Sequence, residues 1–135
     1  MRFYLAVALG GALGSMARYF VGSFVQLRAG AGFPTGTLVI NITGSFLLAF
    51  LLRYALDGGS LSPELRLLLT TGFCGGYTTF STFSYETAAL MQDGEHARAL
   101  TYVGASVGLS LLATFLGFSL ADRLLALRPG GLPPA

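Results

Sequence analysis

The sequence predicts an all-α integral membrane protein whose four helices cross the bilayer, with the third helix broken midway. Three observations lead there. Hydrophobic residues make up 53% of the 135 residues and charged ones only 10%, against about 25% charged in an ordinary soluble domain. Four predominantly apolar stretches reach the roughly 20 residues that one crossing needs, and mean hydropathy is +0.69. In the third stretch, Gly72-Phe73-Cys74-Gly75-Gly76-Tyr77-Thr78-Thr79-Phe80-Ser81-Thr82-Phe83-Ser84 puts three glycines and five hydroxyl side chains of Thr and Ser between apolar flanks. An unpaired backbone group costs several kcal/mol in hydrocarbon, so broken backbone survives there only inside protein or beside a wet pathway. The polar run therefore suggests a place where something crosses.

The elements follow in order. The spans are expected at about 3–25, 36–56, 66–91 and 97–127, forming one domain over 1–127. The fourth is longer than a crossing needs and is expected to tilt or protrude. Ala12-Leu13-Gly14 could pass for a signal-peptide cleavage site, but apolar sequence resumes at Met16 and runs to Val25, which favours a retained span. The segments Arg28 to Pro34 and Asp57 to Pro63 read as turns, with Ser62 as N-cap and Pro63 at the first helical position. Asp93-Gly94-Glu95 turns the chain again, and connections this short make sequential helices antiparallel. The tail 128–135, rich in proline and glycine, is expected to be disordered.

Composition also excludes. All eight basic residues are arginine, scattered rather than clustered, and net charge is only +2, so no nucleic-acid partner is indicated. The single cysteine, Cys74, offers neither an internal disulfide nor metal-ligand spacing. The one histidine, His96, lies in a polar loop, which leaves almost no material for acid–base or nucleophilic catalysis. Of the arginines, Arg2, Arg53, Arg66, Arg123 and Arg128 fall on the side of the termini, against Arg28 and Arg98 opposite. The positive-inside rule thus leans towards cytoplasmic termini.

Polar groups at membrane depth are the candidates for function. Gly10, Gly11 and Gly14 form a small-residue face suited to close helix packing. Arg18 lies roughly 6 Å past the midpoint of its span; it either snorkels to the interface or faces a water-filled vestibule that attracts anions. Thr37, Asn41, Gly44 and Ser45 share one face, where Asn41 acts as interhelical glue or as a donor beside a pathway. Tyr102, Ser106, Ser110 and Thr114 recur every four residues as a winding polar stripe, each drifting about 40°. Phe80 and Phe83, at i and i+3 among Thr79, Ser81, Thr82 and Ser84, can project from one side just past the glycines. Ring edges are electropositive and can contact an anion without carrying charge. Freed carbonyls from Gly75 to Thr78 could instead coordinate a small cation. Glu86, roughly 10 Å past the midpoint, is an interfacial carboxylate or sits at a pathway mouth. Neutral donors with few fixed charges favour a small, strongly hydrogen-bonding anion, since a cation route would more often show acidic rings.

These motifs resemble the small fluoride channel family (Fluc, also called CrcB) over nearly the whole chain. The signatures are Gly10-Gly11-Ala-Leu-Gly14-Ser-Met-Ala-Arg18-Tyr19, Gly36-Thr37-Leu38-Val39-Ile40-Asn41-Ile42-Thr43-Gly44, and the run from Gly72 to Ser84. The resemblance implies an antiparallel, dual-topology homodimer that passively exports fluoride through two pores across the cytoplasmic membrane, conferring fluoride resistance. It implies that Asn41, Phe80, Phe83, Ser81, Thr82, Tyr102, Ser106, Ser110, Thr114 and Glu86 line the fluoride pathway, with Arg18 in a vestibule. It also implies a structural sodium ion at the dimer interface, held by the carbonyls of Gly75 and Thr78. Insertion in both orientations sits badly with five arginines against two. A proton-coupled exporter like the small multidrug transporters would need an acid on the first helix, and none is there. A purely structural subunit would explain the glycines but not the aligned hydroxyls.

Overall fold

The computed structural model describes residues 1–58 and 61–127, and every regular element in them is helical. The expected tail lies outside the described residues. Helix α1 spans Arg2–Ala29 and ends at Gly30, whose φ of 85° only glycine adopts readily. Helix α2 spans Thr35–Gly58. The third segment comes in pieces: α3 (Pro63–Leu67), a π-helical run Leu68–Cys74, α4 (Gly75–Tyr77), and α5 (Phe80–Gln92). Helix α6 spans His96–Ala126. Within α1, α2 and α6 lie three stretches long and apolar enough to cross a membrane. The third segment is too interrupted to count as one such helix.

Local chemistry explains the ends. Ser62 caps α3 by accepting the Leu65 N–H at 3.2 Å, with Pro63 following at the first helical position. Gly94, at φ 78°, reverses the chain between α5 and α6, and the Glu95 N–H closes the turn on the Leu90 carbonyl at 2.9 Å.

The break falls later than the glycines suggest. Gly75 and Gly76 are helical, and the chain becomes extended at Thr78 (ψ 159°) and Thr79 (φ −152°). The glycines serve packing instead. A Cβ on Gly72 would lie 2.9 Å from the Val7 carbonyl oxygen, and one on Gly76 would lie 2.5 Å from that of Gly11. Reciprocally, a Cβ on Gly10 or Gly14 would come within 2.1 Å of the Leu68 or Phe73 carbonyl oxygen. Helix α1 thus lies backbone to backbone against the first half of the third segment, as small residues at membrane helix contacts allow.

The break changes the third segment's partner. Before it, α3, the π-helical run and α4 pack on α1; after it, α5 packs on α6 and α2 and leaves α1. The α2–α6 pair is the most extensive helix contact in the described residues. Near its end, Arg53 Nε donates to Asp122 Oδ1 at 2.7 Å. The parting of α5 from α1 opens a groove floored by α2.

Candidate functional site

That groove encloses about 1020 Å³. Its walls carry Arg18 from α1, Thr37 from α2, Thr79 from the break, and Thr82 and Glu86 from α5. One cation, one carboxylate and several neutral hydroxyls therefore share a cleft inside a largely apolar bundle. The break produces this directly, because an unbroken third helix would have continued along α1.

Asn41 holds the break. Its Nδ2 donates to the Thr79 carbonyl at 3.1 Å and its Oδ1 accepts the Thr79 N–H at 2.9 Å. Both backbone groups of the extended residue are satisfied by one side chain from α2. Thr79 is 7% exposed, so no water would do this instead. The Thr79 hydroxyl then starts α5, accepting the Thr82 N–H at 3.2 Å. The same hydroxyl lies 3.0 Å from Thr82 Oγ1 and 3.2 Å from Ser81 Oγ. Asn41, Thr79, Ser81 and Thr82 thus form one donor-rich knot.

The rings sit on its flank, not in the groove. Phe80 and Phe83 do project together, with centroids 5.7 Å apart and planes tilted by 44°. Phe83 is half-buried against Tyr102, at 5.2 Å, whereas Phe80 is 79% exposed. Glu86 is held from two sides. Thr37 Oγ1 donates to its Oε1 at 2.8 Å, and the Tyr102 hydroxyl donates to its Oε2 at 2.6 Å. The carboxylate therefore ties α5 to α2 and α6 while also facing the groove.

The α6 stripe divides. Tyr102 and Ser106 are buried, while Ser110 and Thr114 are half-buried. Thr114 bonds back to the Ser110 carbonyl at 2.9 Å, as isolated membrane hydroxyls commonly do. Ser106 differs: its buried hydroxyl has no hydrogen-bond partner among the described residues. Arg18 is half-buried and reaches the Thr78 carbonyl at 3.4 Å and Ser15 Oγ at 3.5 Å. At Gly75 the helical acceptor is freed, since the Thr79 N–H that would close on it goes to Asn41.

Three residues carry more here than their sequence signal suggests. By sequence Thr79 is a neighbour of the rings and Thr37 part of a polar face; both are buried and bonded to the site. Gln26, which lines the groove, is missed by sequence reasoning altogether. Its signal is a lone amide just ahead of a glycine-rich turn.

With this geometry in place, the comparisons decide the family. Residues 5–118 match the family model described as CrcB-like protein, Camphor Resistance (CrcB). The chain belongs to the CrcB-like family. The CrcB-like match takes in the break, the groove and the α6 stripe, and it agrees with the resemblance carried by the three motifs. A relative from Rhizobium meliloti (strain 1021) is 51% identical over 120 residues, 89% of this chain and 96% of its own length. One from Thermus thermophilus is 54% identical over 121 residues, 90% and 94% of the two chains. Both relatives are named fluoride-specific ion channel FluC, a channel and not an enzyme.

Proposed function

We propose that this protein is a fluoride-selective channel that exports fluoride passively across the cytoplasmic membrane and so confers fluoride resistance. It works as an antiparallel homodimer with two pores. The observation that carries the reading is the break at Thr78–Thr79, held by Asn41 and surrounded by uncharged donors. Fluoride is small and holds its water tightly, so a pathway must offer replacement donors without binding it too strongly to leave. The hydroxyls of Ser81 and Thr82, the unpartnered Ser106 hydroxyl and that of Ser110 are such donors, while Thr114 gives its proton to the Ser110 carbonyl. The edges of Phe80 and Phe83 add positive potential without a fixed charge. Arg18 raises the local anion concentration in the groove, and Asn41 sets the conformation that presents the rest.

One chain leaves this route without a wall. Phe80 is 79% exposed beside exposed Ser81 and Thr82, and an isologous second copy supplies the missing side. Two such copies place two equivalent routes about the axis, which is the support for two pores. The same pairing bears on sodium. Gly75 is exposed with open space around it, its carbonyl has lost its helical donor, and among the described residues the Thr78 carbonyl makes one long contact, to Arg18. Such unwound carbonyls are hard oxygen donors of the kind that hold sodium in membrane proteins. Gly75 and Thr78 fit the ion, and two copies would double the donors. When bound, sodium would counter the carbonyl dipoles where the copies meet.

The test is efflux from vesicles loaded with potassium fluoride, with valinomycin carrying the counter-ion and no proton gradient. Fluoride release is expected from the reconstituted chain. Phe80→Ile and Phe83→Ile should each slow it about tenfold or more, or ~1.4 kcal/mol at the barrier. Release that requires a proton gradient would overturn the passive mechanism.

A further inference from the structure

The α1–α2 turn is held by more bonds than a connection needs. Gln26, one turn before the end of α1, donates from Nε2 to the carbonyls of Gly30 and Phe33. Its Oε1 accepts the Gly36 N–H at 3.0 Å. One side chain thus fastens the start, middle and end of residues 30–36. From the other side, Arg98 on α6 donates to the Gly32 carbonyl at 3.3 Å and is itself paired with Glu95 at 2.8 Å. The exit of the turn also sits directly on α1, because a Cβ on Gly36 would lie 2.6 Å from the Gly22 carbonyl oxygen.

The two groups that hold Glu86 both adjoin this turn. Thr37, next to Gly36, donates to Oε1. Phe33 meets Tyr102 edge to face, at 5.5 Å between centroids and 83° between planes. Tyr102 donates to Oε2. Both donors on the carboxylate thus lie against the segment that Gln26 fastens.

We propose that Gln26 is a positioning residue for the pathway: it fixes residues 30–36 and so sets Thr37 and, through Phe33, Tyr102, which together orient Glu86. An amide whose two protons and oxygen are all engaged has no free rotamer to lose, so the turn behaves as a rigid extension of α1. Glu86 lines the groove, and its direction decides where negative charge stands beside an anion's route. The flux arm of the test rests on the channel reading above; the exchange arm does not.

The experiment uses the full chain purified in detergent and reconstituted in vesicles. Gln26→Met keeps the length and removes all three bonds. Deuterium uptake at residues 30–36 should rise about tenfold, and fluoride efflux should slow about threefold to tenfold. In a Thr37→Val, Tyr102→Phe background Glu86 has already lost both donors, so Gln26→Met should slow efflux no further there. Equal slowing in both backgrounds, or unchanged uptake at 30–36, would overturn the proposal. Phe33→Leu tests the same path from its other end, and its effect should vanish with Tyr102→Phe alone; it decides the matter if Gln26→Met does not assemble. A parent chain that passes no fluoride sinks the channel reading, while deuterium uptake still judges whether Gln26 holds the turn.

Discussion

Asn41→Leu is expected to reduce fluoride efflux at least about a hundredfold while leaving α1, α2 and α6 helical. Leucine matches the shape but offers no polar edge, so the Thr79 N–H and carbonyl lose both their partners. Each unsatisfied buried group costs about 1–3 kcal/mol, giving ~2–6 kcal/mol against the extended conformation at Thr79. Measured hydrogen bonds between membrane helices average only about 0.6 kcal/mol, because the alternative state finds other partners. That alternative here is a Thr79 N–H that returns to the Gly75 carbonyl and straightens the segment. Straightening would carry α5 back towards α1 and close the groove; a hundredfold loss needs ~2.7 kcal/mol, which lies within the cost of two unsatisfied buried groups and above the membrane average. Circular dichroism and size exclusion should show a folded protein, with the loss confined to flux. Near-normal efflux from Asn41→Leu would mean that the break does not need its clamp.

Gly14→Ala should act differently, by preventing assembly. The added methyl would lie 2.1 Å from the Phe73 carbonyl oxygen and 2.9 Å from the Tyr77 nitrogen. Those are backbone atoms, which cannot rotate aside as a flexible side chain can. Overpacking typically costs about 1–3 kcal/mol, and here relief requires moving α1 away from the whole π-helical run. A sharply reduced yield of monodisperse protein is expected, with residual protein melting at lower temperature. Leu13→Ala, next in sequence but 54% exposed, should change stability by no more than ~0.5 kcal/mol. If Gly14→Ala purified and melted like the parent chain, the close backbone contact would be wrong.

These two residues show how unevenly the sequence reveals its structure. The spans are legible because hydropathy over twenty residues is a strong signal, and Gly10 and Gly14 are legible as a packing face because small residues recur at helical spacing. The position of the break is not. Glycines suggest flexibility, yet Gly72 and Gly76 are committed to contact with α1, and the extended residues are the threonines that follow. Only the partner on α2 decides that, and a partner distant in sequence leaves no local trace. The same holds at Glu86. Its position is readable as one turn beyond Phe83, but its two donors come from α2 and α6. Asn41 has two open readings in the sequence, as glue and as a pathway donor; its observed bonds are interhelical, and they shape the groove beside which it stands.

The stripe on α6 teaches a related point. Four polar residues at intervals of four share one face, but burial separates them, and Thr114 is turned back on its own helix while the Ser106 hydroxyl is left free. Register identifies the face, whereas neighbouring helices decide which hydroxyls remain available.

The most direct measurement compares halides in one vesicle preparation of the purified chain, recording fluoride and chloride release under the same valinomycin-driven potential. Uncharged donors and ring edges that replace fluoride's water predict release at least about a hundredfold faster for fluoride, ~2.7 kcal/mol of discrimination. Chloride leaving as fast as fluoride would contradict the account.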